Sequence, residues 1–347
     1  MSPVQLLPSP LALEVAAGVR GLVAKAAPPD GPGAWDQERT ASLWEALVAG
    51  GWVELADGPA PGAGGEMSLV DLCALAEEWG RLLVPLPFVV TLGVRRWMGP
   101  DRPAPGKALT YLVPEGAGLL PFGAQADLVA LAHAGPDGAG FSAGPDGART
   151  SGDPGIPPAL DLREVGSLVC GPVDRYAPSL PLVPLAPGRA GSTEGAPRPS
   201  DPPGGPLAAP AAPAAHEWAT LALAEAVGSA AEALAGAVGY ATGRHQFGRP
   251  IGSFQALKHK MADMHRDVEF ARSACCWFAA EPAALARRAD LVLSQCLAVG
   301  EAAVHVHGGF GFTAESTSHR YLRHIAALAR IVQALAPAAG SVQIKEA

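Results

Sequence analysis

Charge is scarce in this 347-residue chain: 17% of its residues are Asp, Glu, Lys or Arg, and they sum to a formal −8. A nucleic-acid partner needs a clustered basic face, and this acidic balance argues against one. Cysteine is scarce as well. The five thiols, Cys73, Cys170, Cys275, Cys276 and Cys296, match no zinc or redox spacing, and three fall in apparent helices. They read as small buried hydrophobes of a reducing compartment, with no metal site expected. Membrane spans are also missing. The apolar run Leu83 to Val94 is cut by Pro85 and Pro87 and is too short. The Ala-rich stretch Leu221 to Tyr240 carries Glu225 and Glu232, so it reads as a buried soluble helix. No charged start, apolar core and small-residue cleavage site follows Met1. The expectation is a soluble, cytoplasmic protein without nucleic-acid or membrane partners. Two local absences matter later. No tryptophan occurs between Lys107 and Pro213, and no acid between Glu315 and Glu346.

Hydrophobic residues are plentiful at 49%, enough for two or three packed layers or domains. Residues 1–104 read as a helical domain. Leu43, Trp44, Leu47, Val48 and Trp52 form an amphipathic stripe stopped at Gly50-Gly51, where glycine suits a left-handed cap. Ser68 to Asp71 resembles a capping box, opening a helix that should stop at Gly80. Residues 105–183 change texture. Leu109 to Val113, Leu128 to Ala132 and Ser167 to Cys170 are short apolar runs between turn residues, which predicts a small β-domain. Residues 184–213 are rich in Pro, Gly and Ala and read as a linker or mobile surface loop. Residues 214–347 return to helix. Leu257, Met261, Met264, Val268, Ala271 and Cys275 form one stripe, and Leu322, Ile325, Ala329, Val332 and Leu335 another. With helices from His216 and from Asp290, these predict a four-helix bundle. The fold class is α+β, mostly α.

The densest motif is Tyr240-Ala-Thr-Gly-Arg-His-Gln-Phe-Gly-Arg-Pro-Ile-Gly-Ser-Phe-Gln255: a helix end, a Gly/Pro-broken loop and a helix start, with guanidinium and amide groups at the break. Such a loop can offer charge-assisted donors to a phosphate-bearing ligand. A second block, His305-Val-His-Gly-Gly-Phe-Gly-Phe-Thr-Ala-Glu315, is rich in glycine. Gly308 and Gly309 could let a ligand approach the backbone or could serve a plain turn. His305 and His307 have no carboxylate or cysteine partner at ligand spacing. Glu315 suits the start of the last helix electrostatically.

In that order, the two blocks resemble signatures of the acyl-CoA dehydrogenase family. The resemblance implies an N-terminal helical domain, a β-domain and a C-terminal bundle, with FAD lying between the β-domain, its own bundle and a neighbour's. It implies that Arg244 reaches the pyrophosphate of a neighbour's flavin, with Gln246 and Phe247 beside it and Gln255 on the following helix, and that Gly308 and Gly309 help complete the flavin site. His305 stands where the family usually has glutamine. It also implies an acyl-CoA thioester substrate, from which a carboxylate removes the α-proton, with electron-transferring flavoprotein as acceptor. Family members place that carboxylate at one of two positions, which here fall near Val332 and at Trp218. Glu217 is one residue from the second, about 100° around the helix, and is the candidate base. Glu225 and Glu232 read as buried structural acids.

The β-region offers no match to the family's flavin-covering Ser/Thr and tryptophan segments. Three readings stay open. The chain resembles the degenerate member of bacterial heteromers of two unlike subunits, which act on bulky thioesters such as sterol side chains. It would then need a second dehydrogenase-like subunit. Alternatively it is a self-sufficient homo-oligomeric enzyme using Glu217, or a non-redox acyl-binding or assembly protein.

Overall fold

The computed structural model describes residues 6–29, 34–58, 67–98, 103–111, 113, 119–132, 160–167, 172–174, 176–185 and 212–339. Four helices come first: α1 (Pro10–Ala26), α2 (Gln37–Ala49), α3 (Leu69–Leu82) and α4 (Phe88–Arg95). Ser9 caps α1, its hydroxyl accepting from Ala12 N at 3.1 Å. Gly51 takes the left-handed conformation after α2, at φ 72°, as its lack of a Cβ allows. The capping box on α3 is present: Asp71 N donates to Ser68 Oγ and Ser68 N to Asp71 Oδ2, both at 3.1 Å. Asp71 also accepts from Ser9 N at 2.7 Å, which pins the start of α1 to the start of α3.

Helix α3 does not stop at Gly80; it runs to Leu82 and turns at Leu83, φ 49°. Gly80 serves a different purpose. A Cβ there would sit 2.0 Å from the Glu225 carbonyl oxygen, and one at Gly228 would sit 1.7 Å from that of Glu77. The two glycines let α3 and α5 (Ala212–Gly243) cross backbone against backbone, and Ser229 Oγ donates to Gly80 O at 2.7 Å across the contact.

The β-region holds β1 (Leu109–Tyr111), β2 (Leu119–Pro121), β3 (Leu128–Ala132), β4 (Leu160–Glu164) and β5 (Leu182–Pro184). In one sheet β3 is central, parallel to β1 (Leu109 opposite Leu128) and antiparallel to β4 (Leu128 opposite Glu164). β2 and β5 form a separate antiparallel pair. Thr91 of α4 fastens this layer to the helices. Its hydroxyl accepts from Leu109 N at 3.0 Å and donates to Leu109 O at 3.2 Å. Of the third expected run, Ser167 closes a 3-10 turn, Val165–Ser167, and 168–170 lie outside the described residues. Most of the expected linker, 186–211, lies outside them too.

Helix α5 opens the bundle, followed by a two-stranded hairpin, β6 (His245–Gln246) and β7 (Arg249–Pro250). Then come α6 (Gln255–Ala280), α7 (Pro282–His307) and α8 (Ser318–Ala339). Helix α7 begins earlier than Asp290 because Pro282 fits the first turn, where its missing N–H has no helical partner to lose. The expected stripes of α6 and α8 face the interior, with Met264, Val268, Ala271, Cys275, Ile325, Val332 and Leu335 buried. One continuous core runs from α1 to α8. Helices α5 and α7 are long and apolar enough to cross a bilayer, yet 78% and 50% of their apolar windows are buried inside the protein. The thiols Cys73, Cys275 and Cys296 are buried, Cys276 is half-buried, and Cys170 lies outside the described residues.

Candidate functional site

The end of α5 turns outward at Arg244, whose backbone N–H still bonds Tyr240 O at 2.8 Å. The chain then makes a hairpin pairing Gln246 with Arg249. Both central residues have positive φ, 53° at Phe247 and 77° at Gly248, the pattern of a type I′ turn. Glycine adopts this freely; a bulky aromatic does so at a cost. Phe247 gains little cover in return, since it is 92% exposed. It meets Phe254 edge-on at 6.2 Å, and the Arg249 guanidinium lies 4.0 Å above the Phe254 ring. Arg244 to Arg249 are all exposed. The hairpin is therefore a projection that the described residues leave uncovered.

Across from it, α7 ends at Gly308, with φ 61° and ψ −143°, a region essentially restricted to glycine. A 3-10 turn, Gly308–Phe312, follows. The two motifs, 64 positions apart by their numbering at Arg244 and Gly308, meet in one open depression of about 540 Å³. It is lined by Tyr240, Arg244, His307, Gly308, Gly309 and Phe310. The rings form a stepped wall: His307 stacks on Tyr240 at 4.6 Å and Phe310 on Tyr240 at 5.9 Å. His307 Nδ1 donates to Ala303 O at 2.7 Å. The Arg244 guanidinium makes no hydrogen bond or ion pair among the described residues. An unengaged guanidinium facing bare glycine backbone suits a diphosphate, and the aromatic wall suits a planar ring.

Of the residues singled out from sequence, Arg244, Gly308 and Gly309 line the depression. Gln246 and Phe247 sit on the adjoining hairpin, Gln255 is exposed at the start of α6, and His305 is exposed on α7 outside the lining. Tyr240, His307 and Phe310 were not singled out as ring contacts. Aromatic residues closing both helix-end motifs were the available signal. Glu315 precedes α8 in an exposed turn, where backbone and Thr313 hydrogen bonds lower its carboxyl below the usual range.

The second locus is the junction of α4, α5 and α8. Glu217 is buried there, and its Oε2 accepts from Arg96 Nε at 2.8 Å and from Trp97 Nε1 at 2.7 Å. Burial raises its carboxyl above the ordinary value, against the opposing pull of Arg96 and Trp97. Trp218 stacks on Tyr111 at 4.5 Å, nearly parallel, and donates to Gly93 O at 2.9 Å. Trp218, Leu328 and Ile331 line a cavity of only about 10 Å³, and Val332 beside them is fully buried. The acid on the Trp218 face is Glu225, two turns along, which also lines this cavity. Its Oε1 meets His324 Nε2 at 2.9 Å, while His324 Nδ1 meets Ser179 Oγ at 2.7 Å. That buried chain ties α5, α8 and the segment before β5 together.

Residues 214–333 match the family model for the acyl-CoA dehydrogenase C-terminal domain. A relative, acyl-CoA dehydrogenase IpdE2 of Mycobacterium tuberculosis, is 38% identical over 117 residues, 33% of this chain. The match spans only 37% of that relative's length. Among solved structures, the ChsE4–ChsE5 complex from Mycobacterium tuberculosis is similar at 18% identity with a TM-score of 0.61, covering 97% of this chain and 96% of the other. Butyryl-CoA dehydrogenase from Megasphaera elsdenii is similar at 16% identity and TM-score 0.63, covering 96% and 97%.

Proposed function

We propose that this chain, whose bundle is an acyl-CoA dehydrogenase C-terminal domain and whose fold is that of the family, acts as one subunit of a heteromeric, FAD-dependent acyl-CoA dehydrogenase. Its part is to complete a flavin site on a second, unlike subunit. The observation that carries this reading is the meeting of Arg244 with Gly308-Gly309 in one open depression.

The residues fit the diphosphate end of FAD. Arg244 would fork onto phosphate oxygens, and Gly308 and Gly309 would let them approach the backbone. Tyr240, His307 and Phe310 would give a planar group a surface to lie on. Gln246, Phe247 and Gln255, on or beside the hairpin, would face the partner, and His305 would sit at the edge of that face.

The residues do not fit the reacting end. Both positions where the resemblance puts the base hold apolar side chains, Trp218 and Val332, and the space beside them is closed. When bound, FAD supplies hydride acceptance from the acyl β-carbon. In this reading the α-proton goes to a carboxylate of the other subunit. This chain positions the cofactor and excludes water from one side of it.

A self-sufficient enzyme with Glu217 as base would have to release that carboxylate from Arg96 and Trp97, and so finds less support. A non-redox acyl-binding or assembly role would leave the Arg244 depression without a purpose. Acyl-CoA as the thioester substrate, electron-transferring flavoprotein as acceptor and a cytoplasmic setting belong to the same proposal. The test is a visible spectrum of the purified chain, alone and after coexpression with an acyl-CoA dehydrogenase-like subunit encoded beside it. A colourless chain and a yellow complex are expected. A chain that is yellow and turns over acyl-CoA alone would favour the Glu217 enzyme; no flavin and no association in any preparation would favour the non-redox protein.

A further inference from the structure

On the side of the molecule formed by α1, α3 and α6, and floored by α5, lies a cleft of about 1020 Å³. It shares no lining residue with the depression at Arg244 or with the small cavity at Trp218, although α5 contributes residues to all three. Its volume is at the upper end of the range of about 300–1,000 Å³ for small-molecule sites. The floor is built from small apolar groups, among them Cys73, Ala74, Ala224 and Val227, with Cys276 and Trp277 along one edge. Burial pushes the Cys73, Cys275 and Cys276 thiols up, so they line the cleft as neutral, polarizable groups.

The charged wall decides the ligand class. Four carboxylates, Glu77, Glu78, Glu232 and Glu269, face three guanidiniums, Arg20, Arg81 and Arg272. Each guanidinium is engaged. Arg20 forks onto Glu78 with two contacts of 2.5 Å. Arg272 reaches Glu77 through Nε at 2.9 Å and Nη2 at 2.8 Å and also pairs with Glu269. Arg81 donates to Glu77 at 2.9 Å. A phosphate or carboxylate entering the cleft would have to compete with Glu78 for Arg20 and with Glu77 for Arg81 and Arg272, and would meet an excess of negative charge. Carboxylate oxygens with spare lone pairs can still accept from a hydroxyl.

We infer that this cleft is a binding site for an uncharged, largely apolar molecule carrying a hydroxyl or similar hydrogen-bond donor, and that it is separate from any thioester or flavin site. Such a ligand would lie on the Ala/Val/thiol floor and present its donor to the Glu77–Glu78 wall. Binding there would reach α5 directly, through Ala224 and Val227, one turn or less from Glu225 and the Gly228 crossing.

The test uses the whole purified chain and the neutral dye Nile red. Saturable fluorescence enhancement is expected, together with at least a tenfold slowing of N-ethylmaleimide modification at Cys276, located by mass spectrometry. Ala74→Phe and Cys276→Phe place bulk in the cleft at half-buried positions and should each weaken dye binding at least tenfold, with melting behaviour close to the parent. Octanoyl-CoA at the same concentration should not displace the dye, whereas 1-decanol should displace it at least tenfold better than decyl methyl ether, which lacks the donor. Equal displacement by the two would overturn the role given to the hydroxyl. Unaltered dye binding in both variants, or an unchanged Cys276 rate at saturating dye, would overturn the site. Displacement by octanoyl-CoA would overturn the ligand class. If a variant fails to fold, the Cys276 protection measured on the parent chain decides.

Discussion

The two ends of helix α5 present opposite solutions to the same sequence resemblance. At its C-terminal end the chain is open. Among the described residues Arg244 is unengaged, Phe247 is held at positive φ with 92% of its surface exposed, and glycine backbone stands bare across the depression. At its N-terminal end the chain is shut. Trp218 and Tyr111 stack face to face, Glu217 is committed to Arg96 and Trp97, and about 10 Å³ remains free. Strained and charged groups exposed at one end, with close-packed rings filling the other, are what supports the proposal of a shared site. The closed end is packed by the chain's own side chains; in the proposed complex the open end would be covered by the second subunit.

The largest change should come from breaking the closed end. Trp218→Ala removes a fully buried indole and its bond to Gly93, and should cost about 3–5 kcal/mol. The denaturant midpoint measures it. A loss below about 1 kcal/mol would mean that this junction is not packed as described.

Arg96→Met should cost about 3 kcal/mol at neutral pH, the lower end for breaking a buried pair, because the Trp97 bond to Glu217 remains. The sign of its pH dependence follows from burial. A carboxyl whose folded-state value is raised holds its proton longer in the folded chain than in the unfolded one. It therefore lowers stability as pH climbs from the ordinary carboxylate range to the raised value. Removing Arg96 widens that window upward, so the deficit of the variant should grow with pH across it. Thermal melts at a series of pH values check this. A deficit independent of pH would place the carboxylate outside the pair.

Much of this contrast could be anticipated from local patterns, and some could not. The stripes of α6 and α8, the Ser68–Asp71 box and the turn at Gly51 depend on residues within a few positions of one another, and the structure has them. Gly80 was expected to end its helix because a glycine needed for a cap and one needed for a close crossing look alike in one sequence. Only the Glu225 carbonyl, contributed 145 positions later, tells them apart. The convergence of Arg244 with Gly308-Gly309 came through the family resemblance. The aromatic wall of Tyr240, His307 and Phe310 did not, because it forms only when α5 and α7 lie side by side. Closure of the other end depends on Tyr111 reaching Trp218, a contact between a strand and a helix that no periodicity encodes.

A smaller effect sharpens the open end. Phe247→Gly relieves the positive φ and removes an exposed ring. The isolated chain should be unchanged or more stable by up to about 1 kcal/mol, by chemical denaturation, while association with the second subunit weakens. Loss of stability with association intact would mean that the ring serves its own fold.

The most direct measurement is the FAD content of the proposed complex between this chain and a coexpressed dehydrogenase-like subunit, with Arg244 intact and with Arg244→Ala. Because the side chain is exposed and unengaged, the variant chain should fold with stability within about 0.5 kcal/mol of the parent. The account predicts that its complex nonetheless retains flavin at least tenfold more weakly, read from the visible absorbance after gel filtration. Equal flavin retention and equal assembly in the two complexes would contradict it.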